Sequence, residues 1–236
     1  MARQAVSGRF FGVALAIVAA LTVLTLDPVQ AQGQAPAGGQ APAARGGRGA
    51  PPPDPTKPHK LDVASGTRAR YKVTEQFVGI DFPSDAVGAT EAITGSIVVN
   101  PDGSFAPNSK ITVDLRTLSS DQSMRDNFIQ GRTLETEKFP MLELVPKRST
   151  GLAAPLPASQ QSGFKLLTDM TMHGVTKEVP WTVVATFSGT SVAGRATTTV
   201  DFATFGMTKP TVGRLLSVED KIELEVEFRF TRSVVQ

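Results

Sequence analysis

The chain has 236 residues, a formal net charge of +2 and no cysteine. Without thiols there is neither a disulfide nor a cysteine-linked lipid anchor, so the fold must be held by burial alone. A charge this close to neutral gives no electrostatic reason to expect nucleic acid as a partner.

The first third reads as targeting and tether. Arg3 and Arg9 precede an uncharged, mostly apolar run from Phe10 to Leu26. Asp27-Pro28 ends that run, and Val29-Gln30-Ala31 supplies small residues where a signal peptidase reads. This succession predicts a secretory signal peptide over 1–31; the run falls short of the roughly 20 apolar residues of a membrane span. No Arg-Arg pair precedes it. Its removal leaves a mature chain of net charge +1. Residues 32–64 are rich in Gln, Ala, Pro and Gly, with Pro51-Pro52-Pro53 near the end, and read as an extended spacer with too little apolar surface to fold. Arg45, Arg48 and His59 fall in it. The folded domain is expected over 65–236, a size that buries on the order of 70% of its unfolded surface.

From Tyr71 onward the dominant period is two. Ile222, Leu224, Val226, Phe228 and Phe230 alternate with Glu223, Glu225, Glu227 and Arg229, an apolar face against a charged one. Val179, Trp181, Val183, Ala185 and Phe187 form a second such face, and Phe164, Leu166, Thr168, Met170 and Met172 a third. Further strands are expected over 69–82 (with a bend at Gly79), 91–100, 109–115, 141–147 and 191–201. Pro101-Asp102-Gly103 and Ser188-Gly189-Thr190 supply hairpin turns. Eight strands with few helices predict an all-β fold, an antiparallel barrel or sandwich. One segment departs: Asp121 is placed to cap a short helix over 122–130, with Gly131 at its end, and Met124 and Phe128 on one face. The helix should pack over one end of the barrel, and 153–161 should be an exposed loop.

Little here suits catalysis. His173 lies at a hairpin turn with only Asp169 near it in sequence, and no Gly-x-Ser-x-Gly elbow, P-loop or Gly-x-Gly-x-x-Gly is present. A catalytic zinc usually has three protein ligands that include His or Cys, and His173 is the one histidine outside the spacer. His173 is therefore expected to be a structural turn residue. Arg125 and Asp126, adjacent on the helix, do not face each other, and Arg125 is expected to tie the helix to a neighbouring strand. Glu223, Glu225 and Glu227 read as outer wall. No catalytic and no metal-binding residues are expected, and no cofactor. What remains is apolar area, and an eight-stranded barrel is either filled by side chains or holds one small apolar ligand.

Several segments, in order, resemble the YceI family of exported, lipocalin-like barrels that bind polyisoprenoid lipids. They are Tyr71-Lys72-Val73, Thr94-Gly95-Ser96-Ile97-Val98-Val99, Val113-Asp114-Leu115 with Leu118-Ser119, Met124-Arg125-Asp126-Asn127-Phe128 and Phe139-Pro140-Met141-Leu142-Glu143-Leu144. Phe205-Gly206-Met207 is a later one, and Leu167 to Lys177, containing Met172-His173-Gly174-Val175-Thr176-Lys177, is the closest match. Where many members carry a His-Ser pair in the first strand, this chain has Gln76-Phe77.

The resemblance implies an extended antiparallel eight-stranded lipocalin-like β-barrel with a short helix near one end. It also implies a periplasmic or secreted carrier with an isoprenoid or quinone-like chain in the lumen. The partner set is then lipid, with no nucleic acid and only transient membrane contact; the oligomeric state, a dimer included, stays open. The expected lumen residues are Phe77, Phe82, Met124, Phe128 and Phe139 in the first half of the domain. Val179, Trp181, Val183, Phe202 and Phe205 follow, then Leu224, Val226 and Phe228. The alternative is a filled barrel serving as an envelope stress or interaction module.

Overall fold

The computed structural model describes residues 53–211, 213 and 215–236. The expected signal peptide and most of the spacer lie outside them. Twelve strands are present among the described residues. They are β1 (His59–Val63), β2 (Arg68–Phe77), β3 (Ser84–Thr90), β4 (Ile93–Val99), β5 (Lys110–Asp114), β6 (Ser119–Ser120), β7 (Met141–Thr150), β8 (Ser159–Met172), β9 (Val175–Ser188), β10 (Ser191–Asp201), β11 (Leu215–Val218) and β12 (Lys221–Val234). All pairings are antiparallel, and the sheet closes because β12 pairs with β10 on one side and with β1 and β2 on the other.

Eight staves form the barrel, because two of them are interrupted strands. β1 and β2 lie end to end along β12, and β3 and β4 lie end to end along that pair. The break between β1 and β2 is bridged by Thr67. Its hydroxyl donates toward the carbonyls of Ala64 (2.9 Å) and Arg229 (3.0 Å) and accepts from the Arg229 amide (3.0 Å), replacing ladder bonds that the inserted residues remove. Each of the eight strands expected from the sequence falls on one stave.

Three boundaries differ from the sequence reading. The spacer expected through residue 64 gives way to β1, in which His59 and Leu61 turn inward and Lys60 and Asp62 turn outward, joined by a 2.7 Å ion pair. The period-two pattern is there but only five residues long and follows Pro58. Strand 69–82 ends instead at Phe77; Gly79 takes a left-handed φ of +79° and the chain turns back into β3. β3 is rich in small residues, and at Gly88 the reason is the Tyr71 ring, which a side chain there would overlap. Small residues carry no apolar alternation, so the strand was invisible to the pattern.

One end of the barrel is packed shut. Arg232, the last inward residue of β12's alternation, is buried. It donates to the carbonyls of Pro157 (2.6 Å) and Leu156 (3.2 Å) and to Nδ1 of His59 (2.7 Å). The 151–158 connection is thus not simply exposed: Leu156 is buried under this end. Among the described residues no carboxylate joins Arg232 there, and backbone carbonyls and an imidazole offset its desolvation. Accepting from Arg232 leaves the His59 proton on Nε2, which donates to the Asp54 carbonyl (2.9 Å).

Burial pulls the His59 imidazole below its ordinary range; the Asp54 carbonyl opposes this and the Arg232 charge adds to it. The unfolded chain then takes up a proton near pH 6.5 that the folded chain resists. Stability is full above that value and falls as the pH drops below it. The thermal midpoint should fall between about pH 7.5 and 5.5, and His59→Gln, which cannot titrate, should lose less over the same interval. Equal slopes for parent and variant in pH-resolved thermal melts would contradict this account.

Candidate functional site: an apolar cavity under the helix

The opposite end of the barrel is not filled. A cavity of about 790 Å³ lies there. Its walls come from inward side chains of β2, β5, β7, β9 and β12, and its roof from α1 (Ser123–Phe128) and the wider π turn Ile129–Thr133 that continues it. The volume is within the roughly 300–1,000 Å³ range of small-molecule sites.

Of the expected lumen residues, Phe77, Met124, Phe128, Trp181, Phe202, Leu224 and Val226 border this space. Val179, Val183, Phe205 and Phe228 are buried beside it in the solid part of the interior. Phe139 stands edge-on to the His173 ring, with centroids 4.9 Å apart. Phe82 is on the surface, 78% exposed, because the chain leaves the barrel after Phe77. Tyr71, Val73 and Met172 also line the cavity, and their place in the alternation could have found them. Leu134, Met207 and Val218 line it too; the first two come from irregular segments with no periodic signal.

The wall is mainly apolar, and Arg70, Glu75, Thr90 and Arg125 in it are held by partners. Trp181 is buried and its indole N–H donates to the Thr168 hydroxyl at 3.1 Å, so the ring meets the cavity with its one polar group satisfied. Tyr71 is half-buried: its hydroxyl has no partner among the described residues, and burial pushes its pKa up to about 12. It stays a neutral phenol.

The roof is latched to the walls by ions rather than by its own helix energy, since six residues are too few to be stable alone. Arg125 Nη2 reaches Glu75 of β2 at 2.7 Å, and its Nη1 reaches Asp121 at 2.6 Å. Asp126 accepts from the Ser120 amide (2.9 Å) and hydroxyl (2.6 Å), and Gln130 donates to the Leu118 carbonyl (2.8 Å). Arg125 and Asp126 thus point to different anchors. Two local expectations fail: Asp121 makes no cap to the helix, because Arg125 holds its carboxylate, and Gly131 lies inside the π turn rather than ending the helix.

Glu225 and Glu227 stand on the outer wall, where Arg70 reaches both at 2.6 Å and Arg195 flanks them at 3.2 and 3.3 Å. Such exposed pairs contribute at most about 1 kcal/mol each.

His173 and Gly174 form the two-residue turn between β8 and β9, with φ of +52° and +74°. Positive φ at both central positions is the type I′ geometry that suits strand twist. The His173 ring then staples three segments: Nδ1 lies 3.0 Å from the Phe205 carbonyl and Nε2 lies 3.0 Å from the Glu135 carboxylate. Both partners are acceptors, so the ring donates from both nitrogens only when doubly protonated. His173→Ala should cost about 1–3 kcal/mol, and His173→Asn, which tolerates the left-handed turn, should cost less. Chemical denaturation of both variants checks the order; loss of bound lipid at parental stability would show that the ring serves the ligand instead.

A family model described as the YceI-like domain matches residues 60–230. Among solved structures, BcnA of Burkholderia cenocepacia is similar at 13% identity and TM-score 0.54, over 71% of this chain and 99% of that one. A polyisoprenoid binding domain from Saccharophagus degradans, implicated in plant cell wall breakdown, is similar at 10% identity and TM-score 0.54, over 74% and 98%. At these identities the structural likeness speaks for the fold. No curated protein matches the sequence. The family match spans the closed barrel, both staves that flank β12 and the latched helix, and the chain belongs to the YceI-like family.

Proposed function

We propose that the protein is an exported carrier, periplasmic or secreted, that holds a polyisoprenoid or quinone-like chain in the barrel and performs no catalysis on it. The observation that carries this reading is the cavity: about 790 Å³, walled mainly by Val, Leu, Phe, Met and Trp side chains. An isoprenoid offers only apolar surface, and burial of that surface is worth on the order of 25 cal/mol per Å². The polyisoprenoid binding domain among the similar structures supports the same ligand class. A filled barrel would need side chains in the space the cavity occupies. Export rests on the basic, apolar and small-residue succession ending at Ala31, and the mature chain should begin at Gln32.

Organic extraction of the purified protein followed by mass spectrometry should recover an isoprenoid or prenylated quinone, and its removal should shift Trp181 emission. Val226→Asp places a carboxylate in the apolar wall at a cost of several kcal/mol and should empty or destabilise the barrel. Glu227→Gln changes a side chain that pairs with Arg70 and Arg195 on the outer wall and should keep the lipid. If the parent yields no lipid and added isoprenoids leave Trp181 emission unmoved, the carrier reading fails.

A further inference from the structure

Eight large apolar side chains are strongly exposed among the described residues, and five of them gather at the open end of the barrel. They are Met124 (83%), Phe82 (78%), Leu216 (66%), Ile80 (55%) and Val78 (52%). Three separate segments supply them. Val78, Ile80 and Phe82 belong to the 78–83 loop, Met124 to the roof helix, and Leu216 to β11. Their position at the mouth follows from the register. Phe77 and Leu215 pair with each other across β2 and β11 and both line the cavity; Val78 is the next residue outward on β2, and Leu216 stands beside the pair at the bulge of β11, turned out to solvent. Met124 itself borders the cavity while remaining the most exposed of the set.

The loop is built to present these side chains. Gln76 donates to the Ile80 carbonyl, and the Ile80 amide donates to the Phe77 carbonyl at 3.3 Å, so the turn is closed by its own bonds and its side chains point away from them. Isolated exposed apolar residues are ordinary, but a cluster of this kind on three segments around one opening marks an interaction surface.

We propose that this rim is a membrane-docking surface, which seats the mouth of the cavity on the surface of a lipid bilayer. The position of the opening favours a bilayer over another partner. An apolar molecule that leaves the cavity through the mouth meets water unless an apolar phase covers it, and a bilayer touches all three segments at once. Charge sets the mode. Lys209 at this end is neutralised by Asp220 at 2.6 Å, Arg125 by Glu75 and Asp121, and Asp81 sits between Ile80 and Phe82. Arg132, exposed beside the cavity, is balanced in number by Asp81, and contact is driven by apolar insertion, which increases with buried apolar area. Asp81 keeps the loop at the level of the headgroups. The choice of a bilayer rests on the carrier reading, but the surface itself does not.

The test uses the full chain and phosphatidylcholine vesicles at low and at 0.5 M salt (roughly a 4–5 Å Debye length). The triple variant Ile80→Ser, Phe82→Ser, Leu216→Ser changes no residue of the cavity wall. It should lower vesicle partitioning tenfold or more, at both salt concentrations, while leaving extractable lipid and the thermal midpoint as in the parent. A local probe separates the rim from the amino-terminal apolar run. Phe82→Trp should show blue-shifted emission and quenching by brominated acyl chains beyond that of the parent. Equal partitioning of parent and triple variant, or an indole at position 82 that brominated lipid does not quench, overturns the proposal. So does a concentration-dependent dimer of the parent that the triple variant abolishes without any quenching at position 82, which would make the rim a self-association face. A parent that carries no isoprenoid but docks through its rim would defeat the carrier reading and leave the docking surface standing.

Discussion

Everything in this structure depends on the double engagement of β12. Its fourteen residues pair with β10 along one edge and with β1 and β2 along the other, so the sheet has no free edge in the ring. Closure fixes the diameter, and the diameter fixes how much side chain is needed to fill the inside. The same alternation that gives β12 its apolar face also supplies Arg232 at one end and Ile222, Leu224 and Val226 at the other. A single strand thereby writes both the plug and the cavity wall.

The two ends solve the filling problem in opposite ways. At the closed end, Arg232 directs its donors to backbone carbonyls and to His59, and Leu156 folds under it. That arrangement is costly to desolvate but has few alternatives, which favours one packing. At the open end a cavity of about 790 Å³ remains between the walls. The helix spans the gap instead, held by the Arg125–Glu75 pair, with a carboxylate that is itself nearly buried. Removing one partner of such a pair leaves an uncompensated charge, so the latch resists drift more strongly than a surface pair would.

The staves were legible because one face is wet and the other dry. Along 222–230 and 179–187 that contrast is nearly complete, and it placed the strands and their inward faces correctly. β3 was not legible, since Ala86, Gly88 and Ala89 are too small to mark an apolar face, and Gly88 is small to admit the Tyr71 ring, a demand that comes from a different strand. β1 was hidden by its shortness and by the proline-rich stretch before it. The cavity wall was only half legible for a separate reason. Alternation says which side chains point inward, but not how far along the barrel they stand. Trp181 and Val226 fall at the hollow level; Val183 and Phe228, two residues further from the mouth on the same faces, fall where the interior is solid. Phe82 failed differently, because the pattern of apolar residues continued past the point where Gly79 turned the chain out.

The pairing of β1 with β12 joins residues far apart in sequence: Arg232 and His59 are 173 positions apart. Loop closure over such a distance must be complete before its contacts offset the lost entropy, and folds dominated by non-local pairing form slowly. Until that seam closes, β1 and β12 each present an unpaired strand edge beside apolar side chains, the arrangement that invites aggregation. The barrel is therefore a fold whose most vulnerable moment comes late, when most of its staves can already be paired and the last seam is still open. An apolar molecule that settles between the staves at that stage would add contacts across the seam, and the rate of ring closure would then depend on its concentration.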